Sequence, residues 1–161
     1  MTYVGELGWE LVVPVADALE VYDELRVAGE EVLPGGPADA GYHAIESLRL
    51  EKGYRAFPRD VNPDLTPVEA GLLFATALSP RAETDKDFLG RAALADHRDR
   101  LRGPGERRRL VSFAVEDPEP MVWGGELLIR DGRPAGQVTS AAYGATVAAS
   151  VGLALLRSDR P

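Results

Sequence analysis

From Arg109 onward the apolar residues of this chain recur at every second position, whereas before it they recur every three or four. That change of period limits the fold more than any other feature. Val111, Phe113 and Val115 alternate with Ser112 and Ala114, the pattern of a strand with one buried face. Asp117-Pro118-Glu119-Pro120 then makes a turn. Glu126–Arg130 and Arg133–Thr139 flank Asp131-Gly132, a dipeptide suited to the two-residue turn of a hairpin. Val147–Leu156 reads as a further apolar strand. Helical patterning first and strand patterning second predict an α+β chain whose strands pair antiparallel.

Within the first hundred residues, Ala18, Leu19, Tyr22 and Leu25 form one stripe of a helix expected over Val15–Ala28, with Gly29 as its stop and Tyr22 in the core. Val32–Pro37 is a loop. Asp39 is the expected cap of a second helix that carries Leu48, Arg49 and Leu50 and ends at Gly53. Asp87 is the expected cap of a third, running to about Leu101 with Phe88, Leu89, Ala92 and Ala93 inward. The runs Tyr3-Val4 and Trp9–Pro14 read as strands around a turn at Gly5–Gly8. The apolar run Leu72–Leu78 reads as another strand. Ser79–Asp85 is a polar connector. Arg98–Arg109, with Gly103-Pro104-Gly105 in its middle, reads as a linker between domains, and Arg107-Arg108-Arg109 as a solvated face.

One stretch, Ile45–Leu72, joins these parts. After the helix stop at Gly53 come turn formers, and then Thr66-Pro67-Val68-Glu69, a capping box with proline at the first helical position, so a single helical turn is expected from Pro67 to Gly71. An ordered loop of this length between elements is long for a connector and points to function.

Composition narrows the chemistry. The net charge is −8, which argues against nucleic acid as a partner, because phosphate binding needs a basic face. The sequence has no cysteine, so disulfides, iron–sulfur clusters and thiolate zinc sites are excluded, and a reducing compartment, the cytoplasm, is the expectation. No apolar run approaches the ~20 residues a spanning helix needs. No basic region followed by an apolar core opens the chain, so no signal peptide is expected. Lysine occurs only at Lys52 and Lys86, against a background of arginine. His43 reads as structural, and Glu51 and Lys52 as a local pair.

In the expected strand Trp9–Pro14, Trp9, Leu11 and Val13 share one face and Glu10 and Val12 the other. Pattern alone leaves two readings of Glu10 open: an edge glutamate in water, or a carboxylate turned into a cleft.

Five motifs carry a family resemblance: YVGELGWELVVP at Tyr3–Pro14, LRLEKGYRAF at Leu48–Phe57, Asp60 through Leu72 ending in TPVEAGL, KDFLGRAAL at Lys86–Leu94 and GQVTSAAYG at Gly136–Gly144. Together they resemble the folate-binding aminomethyltransferase family of the glycine-cleavage T-protein type, and most of all the C-terminal folate-binding part of dimethylglycine and sarcosine dehydrogenases. The resemblance implies the C-terminal half of the folate-binding domain over residues 1–100, a linker over 101–108, and part of a small antiparallel β-barrel over 109–161, with an exposed sheet edge. It implies tetrahydrofolate as cofactor. Tyr3 would line its site, Glu10 would bind the pterin ring, and Arg49, which by position alone could equally be a surface charge complementing the C-terminus of its helix, would hold the glutamate tail. The T-protein proper has an arginine where this chain has Ile45.

The family's catalytic aspartate belongs to the domain half that does not match here, and no G-x-G-x-x-G flavin fingerprint is present. No catalytic residue or metal site is therefore assigned. Two functions stand side by side: part of a one-carbon transferase acting on tetrahydrofolate, or a non-catalytic module that docks on an N-terminal half or a flavin-bearing partner chain.

Overall fold

The computed structural model describes residues 2–79, 85–105 and 107–158. A 3-10 turn at Val15–Asp17 leads into helix α1, Ala18–Val32; helix α2 is Tyr42–Glu51 and helix α3 Arg91–Arg100. Four strands follow, β1 Arg107–Ala114, β2 Leu127–Arg130, β3 Arg133–Gly144 and β4 Ala149–Ser158. They form one antiparallel sheet in the order β1-β4-β3-β2, which leaves β1 and β2 as its edges. The chain is thus α+β, and its sheet is open rather than closed into a barrel.

The hairpin β2–β3 turns at Asp131 (φ 52°) and Gly132 (φ 74°), both left-handed as a type I′ turn requires. The long middle strands carry the core. On one face of the sheet Leu110, Val151 and Leu153 pack against Leu50 of α2, with Val61 and Leu65 closing the rim. On the other, Val138, Ala141 and Ala154 pack with Phe113, Val122 and Leu128. Each fully buried leucine or valine here contributes about 1.5–3 kcal/mol, the alanines less.

Helix α2 is fastened to the sheet by polar contacts as well. Ser47 Oγ donates to the Tyr143 carbonyl at 2.6 Å, and Glu51 Oε1 accepts from the Thr146 N–H at 2.7 Å. Burial pushes the Glu51 carboxyl up, but the hydrogen bonds from Thr146 and Val147 and the nearby Lys52 outweigh it and hold the group below its ordinary value. Lys52 itself reaches Glu6, at 3.6 Å, rather than pairing with Glu51.

Several expectations are corrected. Residues 3–14 form no strand. A turn sits at Tyr3-Val4, and Trp9–Pro14 joins no sheet, because a strand needs a ladder partner and none of the described residues supplies one. The run Leu72–Leu78 is a 3-10 turn at Leu73–Ala75 followed by turns, with Phe74 exposed; an apolar run this short does not by itself distinguish a loop from a buried strand.

Helix α1 passes through Gly29 to Val32, and no residue of it is buried. Tyr22 is exposed, and its hydroxyl donates to Asp39 at 2.8 Å. Asp39 is occupied by Tyr22 and Arg26, so α2 begins after Gly41 with no side-chain cap. Helix α3 begins after Gly90 in place of a cap at Asp87, and Leu89, Ala92 and Ala93 are exposed. His43 is exposed on α2. The connector expected over Ser79–Asp85 lies outside the described residues except at its two ends.

Arg108 is not a solvated side chain: it donates to Glu69 at 2.9 Å and to the Asp64 carbonyl at 2.8 Å. Glu69 is the acid of the expected capping box. Its Oε2 accepts from the Thr66 N–H at 2.9 Å, and the Glu69 N–H donates to Thr66 Oγ1 at 3.3 Å. Burial raises the Glu69 carboxyl, and the Thr66 N–H, Arg108 and the Thr66 hydroxyl more than reverse it. The Glu69 carbonyl accepts from the Leu110 N–H, so this one turn stitches the loop to β1.

Candidate functional site

The site is built where α2 ends. Gly53 (φ 67°) closes the helix: its N–H bonds to the Leu50 carbonyl and the Tyr54 N–H to the Arg49 carbonyl. The left-handed turn throws the chain back across the sheet as the loop 54–65.

That loop is held by Asp60, which is buried. Asp60 Oδ2 accepts from Arg49 at 2.6 Å and from the Ala56 N–H at 2.8 Å; Oδ1 accepts from the hydroxyls of Thr139 and Ser140, each at 2.5 Å. Neighbours on a regular strand point to opposite faces. Here Thr139 is the extra residue of a β-bulge: Val138 pairs with Ala154 and Ser140 with Leu153. The bulge lets two consecutive hydroxyls reach one oxygen. Burial pushes the Asp60 carboxyl up, yet Ser140, Thr139, the Ala56 N–H and the Arg49 charge together hold it below the ordinary carboxylate range.

Arg49 is the other half of this hub. It is 0% exposed, and its guanidinium donates to Asp60, to the Tyr54 carbonyl at 2.8 Å and twice to Glu46 Oε2, at 2.6 and 3.2 Å. Burial would lower its affinity for the proton; Glu46 and Asp60 reverse that and keep it charged. Glu46 Oε1 in turn accepts from Arg59 at 2.6 Å. A chain of charges therefore runs from the sheet through Asp60, Arg49 and Glu46 to Arg59 at the surface.

Arg59 and Glu46 stand on the wall of a cleft of about 530 Å³ between the N-terminal segment, α2 and the loop. Tyr3 and Glu10 line the same cleft, together with Tyr42 and Phe57. Tyr42 is 86% exposed and Phe57 73%, so two aromatic rings stand open to solvent beside the carboxylate. Glu10 is exposed and makes no hydrogen bond or ion pair among the described residues. Partial burial raises the Tyr3 phenol above its ordinary value, so it is a neutral donor at physiological pH.

Of the three residues singled out in the sequence, Tyr3 and Glu10 are thus brought to one concave surface. Arg49 is not: it lies behind that surface, and its fork is taken up by protein groups. The sequence reading passed over Tyr42, Phe57 and Asp60. Tyr42 and Phe57 carry no spacing signal, since one begins a helix and the other sits in a loop. Asp60 could be noticed only as an acid in a loop, because its partners lie 79 and 80 residues further on. Among the described residues no cluster of three metal-ligating side chains is found, and no helix is long and apolar enough to cross a membrane.

Known proteins are similar to this chain over most of its length. Residues 1–79 match the model of the GCVT N-terminal domain, and residues 108–161 that of the glycine cleavage T-protein C-terminal barrel domain. The mitochondrial sarcosine dehydrogenase of Mus musculus is 43% identical over 98% of this chain and 16% of its own length. The 4-methylaminobutanoate oxidase (formaldehyde-forming) of Paenarthrobacter nicotinovorans is 39% identical over 99% of the chain and 18% of its own. An aminomethyltransferase of Bacillus velezensis is 31% identical over 98% of the chain and 40% of its own. The glycine cleavage system aminomethyltransferase T of Bartonella henselae shares the fold, with a TM-score of 0.65 at 24% identity over 89% of this chain and 37% of that one. The chain therefore spans a minor part of each of these relatives. With matches at both ends, in the right order and on the same fold, the chain belongs to the aminomethyltransferase family of the glycine-cleavage T-protein type, alongside the sarcosine and dimethylglycine dehydrogenases.

Proposed function

We propose that this chain is the folate-holding part of a one-carbon transferase, in which a methylene unit passes from an amine donor to tetrahydrofolate. The observation that carries the reading is the cleft in which the unpartnered carboxylate of Glu10 meets Tyr3, Tyr42 and Phe57. A pterin shows an N–H and an NH2 side by side, and one carboxylate accepts from both. Its flat face suits exposed aromatic rings. The donor set and the size of the cleft fit the group, since small-molecule sites run to about 300–1,000 Å³. Tetrahydrofolate supplies the nitrogen that accepts the carbon unit. The chain's own residues bind and orient it.

Arg49 fits a positioning role better than a tail-binding one. It holds Glu46 and Asp60, and so fixes the wall on which Arg59 stands. The proposed division is a folate-domain portion at 1–100, a linker at 101–108 and a barrel portion at 109–161.

Alone, the chain is expected to bind without turning over. Both oxygens of Glu46 are committed to arginines, which leaves Glu10 as the one free acid lining the cleft among the described residues, and it is assigned to the pterin. Measurable aminomethyl transfer by the pure chain would contradict this. The test of the reading itself is a titration with a reduced-folate analogue. Glu10→Ala should cost about 1.5–3 kcal/mol of affinity, the scale of a hydrogen bond to a charged group; an unchanged affinity removes Glu10 from the site.

A second reading, a docking module, is favoured by one observation: Trp9 is 92% and Val12 99% exposed, and α1 buries none of its residues. Mixing with a polypeptide carrying the preceding half of the folate domain should then restore tight folate binding. If mixing changes nothing, the docking reading fails.

A further inference from the structure

Residues 2–10 carry both Tyr3 and Glu10, yet they belong to no helix or strand. Something other than a backbone ladder must hold them against α2. The segment opens as a closed unit. The Gly5 N–H donates to the Thr2 carbonyl at 3.2 Å and Thr2 Oγ1 to the Glu6 carbonyl at 3.1 Å, with Tyr3 and Val4 at the corner. Tyr3 therefore moves with this turn. Among the described residues, one polar contact ties the turn to the rest of the molecule: the ion pair between Glu6 and Lys52 Nζ, at 3.6 Å.

Lys52 is the residue that follows α2, and its stem serves as well as its charge. The Gly5 backbone lies on that stem. A Cβ added at Gly5 would stand 2.4 Å from Lys52 Cγ, 3.2 Å from Lys52 Cβ and 3.4 Å from Tyr54 Cε2. Gly5 is also left-handed, at φ 83°, so glycine alone makes this approach without strain. The methylenes of Lys52 thus seat the turn, and its ammonium holds it by Glu6.

We propose that Lys52 is a positioning residue for the cleft: with Glu6 it latches the Thr2–Glu6 turn onto the end of α2, and so keeps Tyr3 and Glu10 on the surface they share with Tyr42 and Phe57. The inference rests on the folate reading above for what the cleft holds; the latch itself does not depend on it.

The test uses the 161-residue chain in two arms. In the first, without ligand, backbone nitrogen relaxation reports the order of residues 3–10. Lys52→Gln should raise the mobility of Tyr3, Gly5 and Glu10 and leave β3 and β4 unchanged. In the second, 5-formyltetrahydrofolate is titrated. Lys52→Gln and Glu6→Gln should each weaken binding by roughly threefold, the scale of one exposed ion pair. The double variant should be no weaker than either single one, because both remove the same contact. Lys52→Arg keeps the charge and the stem and should bind as the unaltered chain does. The urea midpoint should move little throughout, since neither side chain belongs to the core. Unchanged mobility in Lys52→Gln, additive losses in the double variant, or a loss in Lys52→Arg as large as that in Lys52→Gln overturns the inference while leaving the pterin site intact. If the unaltered chain binds no folate, the folate reading falls, and the relaxation arm alone decides for or against the latch.

Discussion

Arg49 and Asp60 form a buried ion pair in which nearly every lone pair and proton has a partner. Removing one member leaves a charge in a low-dielectric interior, which costs about 3–5 kcal/mol. Asp60→Ala should therefore lower the urea midpoint sharply, while Thr139→Ala, which leaves Ser140 on the same oxygen, should cost far less. The pH dependence has a definite sign. The folded-state values of Asp60 and Glu69 both lie below their unfolded ones. Their contribution to stability is complete above the unfolded carboxylate values of about 4 and is lost as pH falls through the lower folded values. A urea series between pH 6 and pH 3 should show stability falling at the acid end, and the fall should be shallower in an Asp60→Asn variant that remains folded. An equally steep fall would locate the acid sensitivity elsewhere.

The elements divide by how local their causes are. The capping box at Thr66–Glu69, the stop at Gly53 and the turn at Asp131-Gly132 are each set by residues within four positions, and each was legible from those residues alone. Thr66→Ala should cost about 0.5–2 kcal/mol in thermal or urea unfolding, since it removes the side-chain acceptor for the Glu69 N–H. Gly53→Ala should cost about 1–2 kcal/mol for the left-handed backbone alone, and its Cβ would also meet Ser112 Oγ at 2.8 Å. Strands β1 and β4 were legible, from alternation and from an apolar run, because each finds a partner, and strand-like segments without one misled. The apolar run Leu72–Leu78 has the composition of a strand, and Trp9–Pro14 has its alternation, but pairing is a property of the neighbour. The candidate site shows the same division. Tyr3 and Glu10 lie in one short motif and reach one cleft. Arg49 looked like a cleft residue because helical spacing says nothing of the loop that folds back over it.

At the scale of the molecule, stability is uneven. Strands β3 and β4 and helix α2 share the core, whereas α1 and residues 3–14 present apolar side chains outward. Hydrogen exchange should be slowest in β4 and fast throughout α1, and a chain segment that covers α1 should slow it there. Edge strand β1 is partly covered by the Glu69 turn, whereas β2 has no strand beyond it among the described residues, and concentrated samples should self-associate through β2 unless a partner chain covers it. The proposed function needs only that the cleft between residues 3–10 and α2 persists. The most direct measurement is to add 5-formyltetrahydrofolate to the isotope-labelled 17.3 kDa chain and follow its amide resonances. The account predicts saturable shifts concentrated at Tyr3, Glu10, Tyr42 and Phe57. Shifts absent from these residues, or scattered without saturation, would contradict it.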